Sequence, residues 1–167
     1  MAHASTRWRY ASPCGKRREF AIGTVKATPG LLGHAEALLA ELMPFERAAD
    51  QTVSEYFRRH RHLGQRDRAF VAETVYAVLR RRRSLEAAAG STAPRSVIIA
   101  ALVRVQGLSG RALEGVLTGS ELALVAHART ATGGRMAPAV QADLPDWLWE
   151  RLAGAHGEIE AMRIARA

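Results

Sequence analysis

The stretch FRRHRHLGQRDRAF, residues 57–70, gathers five arginines, two histidines and one acid between two phenylalanines. A guanidinium is planar, permanently charged, and presents a fork of donors that matches a phosphate. Five of them in fourteen residues could therefore grip a polyanion. The other use of such charge is to solvate a protein face. Two imidazoles could titrate or bind a metal, but His60 and His62 have no cysteine nearby, so the spacing does not make a metal site. His60 is expected at the edge of the core. Asp67 stands where a helix would begin, and an acid there complements the helix dipole and can pair with Arg66 or another arginine.

Other chemistry is sparse. No GxGxxG, Walker loop or HExxH occurs. ATGGRM has adjacent glycines but no strand before it, so it is weak as a phosphate cradle. SPCGK holds a Pro-Cys pair around Cys14, a setting some nucleophilic cysteines share, but it has no partner base in reach of the sequence pattern. Trp147 and Trp149 could stack on bases, although packing is the commoner fate of such residues. We expect both to pack against the helical body or a further domain. The catalytic and metal-binding sets read from this chain are therefore empty.

The chain of 167 residues has a net charge of +8 and a sequence pI near 10.9. That balance puts RNA or DNA first among partners. Of the 24 basic residues two are lysines, Lys16 and Lys26, and the rest are arginines. An apolar fraction of 48% is enough to build a core. A single cysteine excludes an intrachain disulfide and fits a reducing cytoplasm, the expected location. No apolar run approaches the roughly 18 residues of a membrane span, so no membrane role is expected. Residues 1–28 carry Arg7, Arg9, Lys16, Arg17, Arg18 and Lys26 against Glu19 alone and show no periodicity, which reads as a basic, disordered extension.

From Thr28 the pattern is helical. Thr28 can cap and Pro29 suits the first turn, ahead of a stripe of Leu31, Leu32, Ala35, Leu38, Leu39 and Leu42. Asp50 is expected to cap a second helix whose stripe is Val53, Tyr56, Phe57 and His60, with Gly64 stopping it. A third helix is expected over 66–82, with 84–89 as its extension. Pro94 opens SVIIAALVRV, whose lack of a polar face suggests the centre of a bundle, and Gly107 closes it. Ser109 and Ser120 are expected to cap two shorter helices, ATGGRMAPAVQAD reads as a connector, and Pro145 stands near another helix start. With no strand signal, the expected fold is an all-α bundle of six or more helices. The opening stretch then becomes a helix end, a turn and a helix start. Arg58, Arg59, Arg61, Arg66, Arg68, Arg80 and Arg83 are its candidate RNA-binding residues, and residues 47–83 hold ten arginines against four acids.

ADQTVSEYFRRHRHLGQRDRAFVAETVYAVLRRRRSLE, residues 49–86, resembles the N-terminal domain of the bacterial Sun/Fmu family, the ribosomal RNA small-subunit methyltransferase B family. Its pattern pairs an aspartate-led helix with LGxRDRAFxxExVYxVLR, here Leu63 to Arg80, and Ala77 stands where that pattern has glycine. ADLPDWLWERL, residues 142–152, is similar to the stretch that joins this domain to the methyltransferase portion. The resemblance covers about residues 30–167. It implies a NusB-like helical fold and binding to RNA, small-subunit ribosomal RNA above all. It also implies a C-terminal partner domain that methylates carbon five of a cytosine with S-adenosylmethionine. That portion carries a glycine-rich cofactor loop and two cysteines, none of them in this chain, so no cofactor is expected on these residues. The expected organisation is a basic extension over 1–28, a NusB-like domain over 29–135 and a helical linker over 136–167. Two other readings stand beside it: a free-standing NusB-like antitermination adaptor, and a truncated remnant without function.

Overall fold

A computed structural model describes residues 26–131 and 136–167. The basic extension read over 1–28, apart from its last three residues, lies outside the described residues, as does the TGGR part of the connector. Among the described residues there are ten helices and no strand. The all-α bundle is thus the architecture.

Helix α1 (Pro29–Leu42) starts as the sequence dictates, with the Thr28 hydroxyl accepting from the Leu31 N–H at 3.2 Å and proline in the first turn. All six residues of its expected stripe are buried. Helix α2 (Ala49–Arg59) begins ahead of its expected cap. Ala48 is the N-cap and offers no side-chain bond, so Asp50 lies inside the first turn, where it acts on the helix dipole instead. Helix α3 (Gln65–Arg80) is followed at once by α4 (Arg82–Ala89). The expected continuous helix is broken at Arg81, whose φ of −134° leaves the helical region. Beyond the break, α4 buries Leu85, Ala88 and Ala89.

Helix α5 (Pro94–Arg104) is buried from Val97 through Val103. Helices α1, α3, α4 and α7 (Gly119–Thr130) pack around it. That placement explains its lack of a polar face. Gly107, at φ 73°, takes the left-handed conformation that lets the Leu108 N–H return to the Leu102 carbonyl at 2.9 Å. Ser109 caps the single turn α6 (Gly110–Leu113), its hydroxyl accepting from the Ala112 N–H. Thr118, not Ser120, caps α7. The Thr118 N–H donates to Glu121 Oε2 at 2.7 Å and the Glu121 N–H returns to the Thr118 hydroxyl, a reciprocal box that needs threonine three residues before the acid.

The chain ends in α8 (Pro138–Gln141), α9 (Asp146–His156) and α10 (Glu158–Arg166). These build a small second core of Ala139, Ala142, Trp149 and Ala161. It joins the main bundle through α8 against α4. Trp149 packs as expected, but Trp147 is 63% exposed, on the side of α9 opposite Trp149. No described helix is long and apolar enough to cross a membrane.

Candidate nucleic-acid interface

The α2–α3 joint is built by three anchors. Tyr56 is almost fully buried on α2, Leu63 is buried in the turn, and Phe70 is buried on α3. Between them the chain leaves α2 at His60, whose N–H donates to the Tyr56 carbonyl. Gly64 does not stop α2. It is extended, with φ −67° and ψ 168°, and serves as the N-cap of α3. Having no side chain to cap with, it relies on Asp67, whose Oδ2 accepts from the Gly64 N–H at 3.3 Å. Asp67 therefore belongs to the helix start and forms no ion pair among the described residues.

The turn so fixed sorts the arginines. Arg68 is turned back on the joint. Its Nε donates to the Leu63 carbonyl at 2.9 Å, its Nη2 to the Arg61 carbonyl at 3.3 Å, and its guanidinium lies 5.9 Å from the Phe57 ring centre. Arg59 pairs with Glu41 of α1 at 2.6 Å and lies over the Tyr56 ring. Arg58 is exposed and has only a loose contact with Glu55 at 3.9 Å. Arg61 and Arg66 are exposed and form no ion pair among the described residues. Arg61 does donate to the Arg58 carbonyl at 3.3 Å. The joint thus presents Arg58, Arg61 and Arg66 outward, Arg59 shared with an acid, and Arg68 as a brace.

Arg80 and Arg83 are not part of this patch. Arg80 stands fourteen residues beyond Arg66 on the same helix, which is about 21 Å along its axis at roughly 1.5 Å per residue. It is exposed and forms no ion pair among the described residues. Arg83 is occupied: it donates to the Leu144 carbonyl and to Asp146 Oδ1, the latter at 2.8 Å. It fastens the second core to the first.

Beside the joint lies a histidine cluster that the sequence pattern concealed. His34 of α1 donates to or accepts from the Tyr56 hydroxyl at 2.9 Å through Nδ1. Its Nε2 is 3.3 Å from His62 Nε2. His60 stacks on Tyr56 at 4.1 Å between ring centres, and its Nδ1 donates to the Tyr56 carbonyl at 2.9 Å. The ring centres of the three histidines are 5.1 to 5.9 Å apart. Burial, then the charges His60 and His62 would carry, hold His34 below the ordinary imidazole range. His34 falls among the apolar positions of the α1 stripe, three residues after Leu31 and four before Leu38, and that was the one signal of its role. Among the described residues no group of three or more His, Cys, Asp or Glu is placed to hold a metal ion.

His34 also lines an open groove of about 460 Å³ with Lys26, Thr28, Leu63, Arg66 and Asp67. Lys26 enters the surface here only because the fold brings the start of α1 against the start of α3. Lys26, His34 and Arg66, against the single acid Asp67, make this open groove suit an anion better than an apolar ligand. No family model, no curated protein and no solved structure matches this chain.

Proposed function

We propose that the chain is an RNA-binding module that holds the phosphate backbone on the α2–α3 joint. The observation that carries this is the pairing state of the arginines. Arg61 and Arg66 are exposed with no ion pair among the described residues, and Arg58 has only a 3.9 Å contact with Glu55. A surface that merely solvates a fold gains nothing from leaving like charges uncompensated at a fixed turn. A polyanion supplies the missing charge. Contacts of this kind position RNA and read little of its sequence.

The pattern LGQRDRAF within residues 63–80 and the ADLPDWLWERL segment support a narrower reading by resemblance. The module would be the NusB-like part of a cytosine-5 ribosomal RNA methyltransferase acting in the cytoplasm on small-subunit ribosomal RNA. In that reading S-adenosylmethionine and the nucleophile belong to a partner domain. Trp147 and the linker-like helices serve that union rather than base stacking.

The test is the triple variant Arg58→Ala, Arg61→Ala, Arg66→Ala, titrated with several unrelated single-stranded RNAs at a series of salt concentrations. Removing one phosphate neutralisation lowers the salt slope by about 0.7 for a single strand, so three removals should lower it by about 2. The fall in affinity should be similar for all the RNAs. An unchanged slope would reduce the surface to a solvated face. The adaptor reading is favoured instead if the chain needs a protein partner before it binds RNA at all.

A further inference from the structure

We propose that RNA binding at this joint takes up one proton on the His34–His62 pair, so that the phosphate grip tightens as pH falls. The inference rests on the RNA-binding reading above and concerns the regulation of that same surface.

The two Nε2 atoms are 3.3 Å apart, so one must carry hydrogen and the other must accept it. The Tyr56 hydroxyl on His34 Nδ1 follows either tautomer, because a hydroxyl both donates and accepts. One further proton therefore enters without breaking the contact. It goes to His62, the exposed member, which becomes an imidazolium donating to His34. A second proton would set two N–H groups against each other. The cluster is built to hold one positive charge.

In the free protein that charge would sit among more cations than anions. The groups around the pair are Lys26 ahead of α1, Arg59 and Tyr56 on α2, Arg61 at the turn, and Arg66, Asp67 and Arg68 on α3. Of the carboxylates at this corner Glu41 is paired with Arg59, while Asp67 accepts only from the Gly64 N–H and keeps its charge. His60 stacks against Tyr56 and lies within 5.9 Å of His62. Cations therefore outnumber the one unpaired carboxylate around the pair. A phosphate seated in the groove between Lys26, His34 and Arg66 reverses that balance. The imidazolium gains a phosphate partner when RNA is bound, so binding and proton uptake are linked.

The experiment measures binding of a short uridine oligonucleotide, at constant ionic strength, between about pH 6 and pH 8, which spans the ordinary imidazole range. Alongside it, the imidazole resonances are titrated with and without RNA. Wild type should bind about tenfold tighter at the acid end, since one coupled proton gives at most about tenfold per pH unit. His34 or His62 should titrate at higher pH in the complex than in the free protein. The double variant His34→Gln, His62→Gln should lose the pH dependence, whatever affinity it retains at the alkaline end. Binding that is present but equally pH-dependent in both proteins overturns the proton coupling and leaves the arginine surface standing. The same holds if neither imidazole shifts on binding, a result read on wild type and so independent of how the variant folds. No binding at either pH overturns the RNA reading itself.

Discussion

The arginines of the joint look equivalent in sequence and are not equivalent in space. Arg68 bonds two backbone carbonyls of the turn, and a charged donor to a carbonyl is worth more than a neutral one because the carbonyl would otherwise be left short. Arg68→Ala should therefore lower stability by about 1 kcal/mol, while Arg61→Ala stays within about 0.5 kcal/mol. Urea unfolding of the two variants checks the difference. The sense of the RNA effect is the reverse. Arg61→Ala should weaken RNA binding directly, and Arg68→Ala should weaken it only as far as the turn loosens. Any variant series at the joint must separate these two roles.

Among the elements, the junction of α3 and α4 depends on a residue 59 positions beyond Ser84. Asp143, at φ 54°, accepts from the Ser84 N–H and from the Ser84 hydroxyl, both at 2.7 Å, and so caps the first turn of α4 from outside. Burial, opposed by those bonds and by Arg81 and Arg83, pushes its carboxyl above the usual carboxylate range. The folded state then binds a proton more tightly than the unfolded chain. The stability from this group is full below the unfolded carboxylate value and is lost as pH rises through the folded one. Asp143→Asn keeps a carbonyl for the Ser84 N–H and tolerates the left-handed backbone. It should remove that mildly acidic pH dependence without lowering stability at neutral pH. Asp143→Ala removes both bonds in a conformation that suits alanine poorly, and should cost about 2 kcal/mol. Thermal melts of the three proteins from acid to neutral pH decide between these outcomes.

At the scale of the whole molecule there are two cores of unequal size. The main one surrounds α5, and the small one, of Ala139, Ala142, Trp149 and Ala161, is held to it by α8 on α4 and by the Arg83 and Ser84 bonds. Local stability follows buried apolar contact. Amide exchange should therefore be slowest in α5 and faster by orders of magnitude in α9 and α10. Arg83→Ala should speed exchange in α9 and α10 and leave α5 unchanged. Equal protection of both regions would mean that they unfold as one unit.

Much of the bundle was legible in the residues themselves. The α1 stripe, the Thr28 cap, the buried run of α5 and the left-handed Gly107 follow from periodicity and backbone sterics, which act over a few residues and so are written locally. The helix boundaries that misread were those where distant contacts decide. Gly64 starts α3 because Leu63 is buried and Asp67 reaches back, and the helix breaks at Arg81, three residues before Ser84, which Asp143 bonds from a distant segment. The site divided the same way. The charge of residues 57–70 is a property of composition, and the sequence alone determined it. Which arginines are free, which brace the turn, and that His34 meets His62 depend on side chains from separate segments approaching within 3.3 Å, and only the packing of α1 against α2 and α3 could decide that.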